Sequence, residues 1–224
     1  MKFFNWLLKR SAVVEEQAIE APLSFEVEPM RIPITFDLSL LVIADTHNCL
    51  CESDIPFFAD CNACFLLGDL SGKDLAVVKR LILPYIPVYG VLGNHDDFPL
   101  YKNNGIEDIH GRVVSVNGVR VAGLQGSIRY KHTDYPLYTD EESVDISNSI
   151  ETADILISHD SPKYAFGEHN LAHSGLQGVT DYCFNNSVPL NIHGHHHVNK
   201  HNVLENGTLS ICCHKCILLN TAEL

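Results

Sequence analysis

The chain has little positive charge. Its 224 residues include 15 Lys and Arg against 28 Asp and Glu, which gives a formal net charge of −13 at pH 7 with histidine neutral. No run of basic residues is long enough to follow a polyphosphate backbone. Because nonspecific DNA or RNA binding depends on such a surface, we expect no stable nucleic-acid binding.

The sequence also lacks an apolar run long enough to span a membrane, which takes about 20 predominantly apolar residues. In residues 2–10 a short apolar stretch of aromatic and leucine side chains is bounded by Lys2, Lys9 and Arg10. No small-residue cleavage site follows it. We therefore expect no transmembrane segment and no secretory signal. On a helix, one apolar face would contain Phe3, Phe4, Leu7 and Leu8. Such a face suits an interfacial anchor or, as we favour, an arm that packs on its own domain or on a partner.

A disulfide framework is not expected, although the chain contains eight cysteines. The chain is much longer than typical disulfide-dense secreted domains, so reduced thiols in the cytoplasm fit better. Two pairs, Cys61 with Cys64 and Cys213 with Cys216, have spacings found in structural zinc sites. Their large separation and the apolar run around Cys64 favour buried, reduced cysteines over zinc.

Residues 1–36 are expected to form an N-terminal arm that is partly ordered or packs on a partner, and residues 37–224 a single domain. Three prolines punctuate the acidic residues 11–36, at Pro22, Pro29 and Pro33. Beyond them, buried apolar runs alternate first with helical patterns and later with strand-turn-strand patterns. The expected strands are 38–44, 64–67, 88–92, 111–116, 119–124, 155–158, 190–192 and parts of 208–219; the expected helices are 53–60, 73–83 and 174–185. We expect 129–145 to be a surface loop that borders the site and helps to select the substrate.

Five short polar clusters stand at the ends of apolar runs. They combine carboxylate, imidazole and amide oxygen, which together suit Mn²⁺, Fe or Zn²⁺ and disfavour Ca²⁺, since calcium prefers oxygen ligands alone. In chain order they are Asp45-Thr46-His47, Gly68-Asp69, Gly93-Asn94-His95-Asp96, Ser158-His159-Asp160 and Gly194-His195-His196-His197. At the C-terminal edge of an α/β sheet, such clusters can meet in one site.

This set of motifs resembles the calcineurin-like metallophosphoesterases, whose signature reads D-x-H, G-D, G-N-H-D/E, H and G-H-x-H. The resemblance implies an α/β fold: a four-layer α/β/β/α sandwich of two mixed β-sheets flanked by helices, with the metal site at the C-terminal strand ends. It also implies two divalent metal ions, of which Mn²⁺ is the first expectation, with Fe, Zn²⁺ or Ni²⁺ as alternatives. The first metal would be held by Asp45, His47, Asp69 and His197, and the second by Asp69, Asn94, His159 and His195.

The same resemblance implies that a hydroxide shared by the metals attacks phosphorus while His95 serves as the general acid. Asp96 would orient His95, and Asn94 and His95 would contact the substrate. His173 lies at an expected helix start, where an anion can bind, although a capping or surface role fits it equally well. For His193 two alternatives fit equally well: it forms a hydrogen bond to a metal ligand, or it has no part in the site.

The phosphoprotein phosphatase branch has an arginine after its G-D motif and another before G-N-H-E. This chain has neither arginine, in residues 68–72 or 91–96. Because arginine clamps a phosphomonoester dianion, the absence favours a phosphodiester of a small, nucleotide-like compound. A phosphomonoesterase remains an alternative, as does a metal-binding scaffold of the same fold, in which the N-terminal arm would contact a partner or a second copy.

Overall fold

The computed structural model describes residues 30–166 and 170–224. The expected anchoring or partner-packing role of the N-terminal arm therefore falls mostly outside the described residues. Among the described helices, none combines the length and hydropathy needed to cross a membrane.

Strands dominate the described structure, and four α-helices accompany them. The strands are β1 (Ser39–Ala44), β2 (Ala63–Leu66), β3 (Val88–Gly90), β4 (Glu107–Asp108), β5 (Val113–Val116), β6 (Val119–Leu124), β7 (Ser127–Ile128), β8 (Leu137–Tyr138), β9 (Ile155–Ser158), β10 (Leu190–His193), β11 (Lys200–Val203), β12 (Leu209–Cys212) and β13 (Lys215–Asn220). The helices are α1 (Gly72–Leu81), α2 (Leu100–Asn104), α3 (Asp140–Ser149) and α4 (Gln177–Asn185).

Two large sheets are both mixed. The first has five strands in the order β13-β1-β2-β3-β4, in which β1 to β4 run parallel and β13 is antiparallel to β1. The second has six strands in the order β11-β12-β10-β9-β6-β5, parallel in the middle and antiparallel at both edges. Parallel strands in the centre of each sheet bring their C-terminal ends to one edge, where the polar clusters follow them.

The two sheets pack face to face, and helices cover their outer faces. Alternate residues of β1 show this arrangement: Leu40 and Val42 lie in the core between the sheets, whereas Leu41 and Ile43 lie in the core beneath α1. A third core joins the second sheet to α4. Because side chains alternate along a strand and both faces of β1 are covered, its sequence is apolar almost throughout. The predicted four-layer α/β/β/α sandwich is confirmed.

A capping box formed by Ser71 and Asp74 fixes the start of helix α1. The Ser71 hydroxyl accepts from the backbone N–H groups of Lys73 and Asp74, and the Asp74 carboxylate accepts from the N–H of Ser71. Asp74 also accepts from the N–H groups of Asn48 (2.7 Å) and Leu50 (2.9 Å) in the loop that follows β1. This buried carboxylate therefore ties the loop that carries the first polar cluster to the start of α1.

Two segments differ from the sequence-based expectation. Residues 53–60 do not form a helix, and only a short 3-10 turn, Glu52–Asp54, is present. Pro56 explains the difference, since it lacks an N–H and favours an extended Ile55, whose φ and ψ are −86° and 114°.

The second difference lies in 129–145, which is not a loop throughout. It contains β8 and the start of α3, where Thr139 caps the helix and Glu142 completes the capping box.

The predicted hairpin is present as β5 and β6, and its turn residues Asn117 and Gly118 adopt positive φ angles of 49° and 86°. Three of the four paired cysteines, Cys61, Cys64 and Cys216, lie in the core beneath α1, whereas Cys213 lies in the core between the sheets, so the four thiols do not meet in one site. Within the described residues, the groups of three side chains able to hold a metal consist of aspartates and histidines. The expectation of reduced, mostly buried cysteines agrees with this placement.

Asp74→Asn should lower the free energy of unfolding by about 3 kcal/mol, because buried backbone N–H groups lose a charged acceptor. Backbone hydrogen bonds from Ser71, Leu50 and Asn48 lower the pKa of Asp74 despite its burial, which acts to raise it. Its contribution is therefore fully present above the unfolded pKa, about 3.9, and is lost as the pH falls through the folded pKa. Urea unfolding of both proteins at pH 7 and pH 3 measures the difference.

The matched control for this prediction is Asp145→Asn, which alters an exposed carboxylate on α3. We expect it to stay within about 0.5 kcal/mol of the wild type. The assigned role of Asp74 would be contradicted if both variants lost the same free energy of unfolding. It would also be contradicted if the loss in Asp74→Asn were as large at pH 3 as at pH 7.

Candidate metal centre

The five polar clusters meet at one edge of the sandwich and come from both sheets. Asp45 directly follows β1, and Asp69 and Asn94 lie shortly after β2 and β3 of the first sheet. His159 directly follows β9, and His195 comes two residues after β10, in the second sheet. The site therefore lies across the junction of the two sheets, and each sheet contributes ligating groups.

One group of possible ligands consists of Asp45, His47 and His197, whose ligand atoms all lie within 4.8 Å of one another. The two Nε2 atoms of His47 and His197 are 3.2 Å apart, and His197 Nε2 is 3.7 Å from Asp45 Oδ1. Asp69 Oδ2 lies 3.6 Å from His47 Nε2. These are the four residues that the sequence predicts for the first metal.

A second group consists of Asp45, Asp69 and His159, again within 4.8 Å. His159 Nε2 is 3.8 Å from Asp69 Oδ2 and 2.8 Å from Asn94 Oδ1. Asp69 Oδ2 thus lies near a histidine of each group, the position that a bridging ligand requires.

Hydrogen bonds fix which ring nitrogen of two histidines can bind a metal. His159 Nδ1 lies 2.7 Å from the carbonyl oxygen of Leu67; a carbonyl only accepts, so Nδ1 donates and Nε2 keeps its lone pair. His195 Nε2 likewise lies 2.7 Å from the carbonyl oxygen of Ala172, which leaves Nδ1 with the lone pair. The His195 ring lies 4.9 Å from the His159 ring, centroid to centroid, although His195 belongs to neither group of three.

The chemistry of these side chains fits a cation. Asp45 is 2% exposed, and its Oδ1 has no hydrogen-bond partner within the described residues. Burial, and then the nearby Asp69 carboxylate, raise the pKa of Asp45 to about 8. An unpartnered, buried carboxylate oxygen beside imidazole lone pairs is costly unless a positive charge lies among them. Together with the amide oxygen of Asn94, the set suits a pair of divalent transition-metal ions.

The backbone around the site is strained. Asp45, His47, Asp69, His195 and His197 all have positive φ angles, between 45° and 70°. Each such conformation of a residue other than glycine costs on the order of 1–3 kcal/mol and persists only where surrounding contacts enforce it. Here the N–H of Asp45 donates to the carbonyl oxygen of Gly68, and the N–H of His47 to that of Asp69.

Two motif glycines leave room for the carboxylates. A Cβ at Gly93 would lie 2.1 Å from Asp69 Oδ1, and a Cβ at Gly194 would lie 2.7 Å from Asp45 Oδ2. Any side chain at either position would push a carboxylate out of place. The glycines of the G-N-H-D and G-H-x-H motifs are therefore explained by close packing against Asp69 and Asp45.

Asp96 makes contacts that the sequence does not reveal. Its Oδ2 accepts from the backbone N–H groups of Gly93 and Asp69, both at 2.8 Å, so it joins the loops after β2 and β3; within the described residues it makes no hydrogen bond to His95. Burial, and then Asp69, raise the pKa of Asp96 to about 7. His95 is instead held through its own backbone N–H, which donates to Asp69 Oδ1 at 2.9 Å.

The His95 side chain lies at the exposed rim of the site, 5.7 Å from the His47 ring between centroids. Burial lowers the pKa of His95, against the opposing effect of Asp69. Within the described residues, the ring of His95 makes no hydrogen bond. It is therefore available to a bound molecule.

His173 is close to the site but not at a helix start. It ends a 3-10 turn, Leu171–His173, and α4 begins only at Gln177, so the expected anion-binding helix terminus is not there. Its ring nevertheless lies 4.9 Å from the His195 ring, centroid to centroid.

Two further neighbours of the site are not among the residues predicted from the sequence. His214 stacks on His197 at 5.3 Å and an interplanar angle of 17°, and it follows β12 in a stretch without any motif. Tyr130 accepts a hydrogen bond from Asn94 Nδ2 at 3.2 Å. The tyrosine-rich composition of 129–145 was the only signal for the second contact.

Comparisons with known proteins agree with this fold. An uncharacterized protein from Haemophilus influenzae is 27% identical over 173 residues, which cover 61% of this chain and 73% of that protein. The crystal structure of a phosphopantetheinyl hydrolase from Mycobacterium tuberculosis superposes with a TM-score of 0.56 at 10% identity, covering 81% of this chain and 91% of that one, and this likeness shows the fold alone.

The sequence profile of the calcineurin-like phosphoesterase superfamily domain matches residues 38–219. The match extends from β1 into β13 and includes all five polar clusters. The chain therefore belongs to the calcineurin-like phosphoesterase superfamily.

Proposed function

We propose that this metal-dependent phosphoester hydrolase is a dinuclear phosphodiesterase that acts on a small phosphorylated compound, with His95 as its general acid. The observation that carries the proposal is that Asp69 Oδ2 lies 3.6 Å from His47 Nε2 of the first group and 3.8 Å from His159 Nε2 of the second, with His95 exposed nearby. We assign the catalytic domain to residues 37–224 and leave residues 1–36 as an arm.

The first metal would be held by Asp45, His47, Asp69 and His197, and the second by Asp69, Asn94, His159 and His195. Two divalent ions, Mn²⁺ by preference, would polarise the phosphoryl oxygens and lower the pKa of bound water from 15.7 towards about 7. The protein contributes the placement of these ligands, which the strained loops and the Asp96 carboxylate maintain.

The position of His95 suits a residue that protonates the leaving alkoxide. This histidine follows the ligand Asn94 directly, yet Asn94 is buried whereas the His95 side chain faces solvent at the rim. The hydrogen bond from its backbone N–H to Asp69 Oδ1 fixes the distance between the histidine and the bridging carboxylate. A protonated His95 would donate a proton to the leaving alkoxide, which is worth about 10² to 10⁴ in rate.

The missing arginines support a diester in preference to a monoester. Residues 68–72 and 91–96 carry no guanidinium that could clamp a dianion in two places, whereas a diester presents a single negative charge. The phosphopantetheinyl hydrolase is a fold neighbour with a small phosphorylated group in its name, which is compatible with this class. A catalytically silent scaffold would not need an exposed histidine beside the metal ligands.

We expect Asp69→Asn to lose metal and activity together. The reason is that a neutral amide lacks the negative charge with which the Asp69 carboxylate would neutralise the two cations bound to it. Metal content after gel filtration in Mn²⁺, read by mass spectrometry, should fall from two ions per chain to one or fewer. Addition of Mn²⁺ at 100 times its dissociation constant should stabilise the wild type by about 2.7 kcal/mol and the variant by much less, as read by thermal unfolding. Retention of two ions by Asp69→Asn would contradict the bridging assignment.

His95→Asn should retain both metals and lose activity. With a panel of nucleotide diesters, whose leaving group is an alkoxide, kcat should fall by about 10² to 10⁴. With bis(p-nitrophenyl) phosphate the fall should be smaller, because p-nitrophenolate leaves without a proton. His201→Asn is the matched control, since His201 is exposed on β11 away from the site. Wild-type activity of His95→Asn towards the nucleotide diesters would exclude the general-acid role, and a metal-loaded wild type that cleaves none of these esters would reject the proposed function.

A further inference from the structure

The segment 129–136 connects β7 to β8 at the rim of the metal centre. Its base is fixed: the N–H of Gly126, just before β7, donates to the carbonyl oxygen of Leu92, just before the G-N-H-D motif. At the same end, the N–H of Arg129 donates to the carbonyl oxygen of Tyr138. The segment therefore begins beside the loop that carries Asn94 and His95.

Tyr130 joins this segment to the site directly. Its hydroxyl accepts from Asn94 Nδ2 at 3.2 Å, while Asn94 Oδ1 faces His159 Nε2 at 2.8 Å. An amide has one donating and one accepting end, so a partner for the nitrogen determines where the oxygen points. Tyr130 thereby positions the oxygen of Asn94 towards the second group of ligands.

Lys131 is an exposed, positively charged residue of the segment 129–136. Its Nζ lies 5.1 Å from the centroid of the Tyr130 ring and 5.9 Å from that of Tyr135, within the range of cation–π contacts. The side chain is exposed, and within the described part of the chain it forms no ion pair with a carboxylate. In a chain with 28 acidic residues, a lysine at the site that is held only by aromatic rings keeps its charge available to an anion.

Geometry places Lys131 on the same side of Asn94 as Tyr130. Its Nζ lies over the Tyr130 ring, and the Tyr130 hydroxyl accepts from Nδ2 of Asn94, the residue directly before His95. The charge of Lys131 acts on His95 in the same direction as burial, which is the largest influence and lowers the pKa of His95.

We propose that Tyr130 and Lys131 form the wall that recognises the substrate phosphate, in which Tyr130 holds the wall against Asn94 and Lys131 binds a non-bridging phosphate oxygen. The inference rests on the proposed function and adds the group that takes the place of the missing arginines. An ammonium is a single point charge, whereas a guanidinium binds two oxygens at once. A lysine at this position matches the single charge of a diester.

Lys131→Gln tests the wall without touching a metal ligand. In the Mn²⁺-loaded enzyme we expect the KM for bis(p-nitrophenyl) phosphate to rise about tenfold, with kcat within about twofold and metal content unchanged. Calorimetry with inorganic phosphate should show binding weakened by about the same factor. Lys131→Arg should keep most of the affinity, because it keeps the charge.

The matched control is Lys79→Gln, which removes an exposed charge from α1. If it weakens phosphate binding as much as Lys131→Gln does, or if Lys131→Gln leaves both KM and phosphate binding unchanged, the wall is rejected. Phosphate binding also separates this inference from the proposed function. A wild type that cleaves no ester refutes the proposed function, whereas the phosphate affinities of wild type and Lys131→Gln still decide the role of Lys131.

Tyr130→Phe tests the other end of the wall. It keeps the ring beneath Lys131 and removes only the oxygen that accepts from Asn94. Loss of such a partner of a ligand should weaken the affinity for the second Mn²⁺ by about tenfold, whereas phosphate binding at saturating metal should change by less than about twofold. Unchanged Mn²⁺ affinity in Tyr130→Phe would contradict the positioning role.

Discussion

Two buried carboxylates at the junction of the sheets are the constraint on which the site depends. Asp45 and Asp69 are 2% and 3% exposed, and burial, followed by the charge of Asp69, raises the pKa of Asp45 to about 8. Histidines surround them with nitrogen lone pairs and not with fixed positive charge. A fold that brings such groups together gains stability from cations, and this links metal binding to the integrity of the site.

The rest of the architecture keeps this arrangement in place. Parallel strands of both sheets end at one edge, so that loops from distant parts of the chain meet there. Asp96 joins two of these loops through backbone N–H groups, and Asp74 ties a third to helix α1. Gly93 and Gly194 leave the space that the carboxylates occupy. Strain in the left-handed residues is thus balanced by hydrogen bonds and packing outside the ligand set.

The sequence predicts much of this, because strands with both faces buried are apolar throughout and the ligating clusters directly follow them. It does not reveal contacts that a side chain makes with distant parts of the chain, such as those of Asp96 with the backbone of Asp69 and of His214 with His197. Pro56 should have argued against a helix over 53–60. The capping pair Thr139 and Glu142 indicates the start of α3, whereas the charged, tyrosine-rich composition around it is typical of a loop.

The most direct test of the shared carboxylate is anomalous X-ray diffraction from crystals of the Mn²⁺-loaded protein at the manganese edge. Two anomalous peaks should appear about 3.5 to 4 Å apart, with Asp69 in contact with both, His47 and His197 at one, and Asn94 and His159 at the other. A single peak, or two peaks of which only one touches Asp69, would contradict the account.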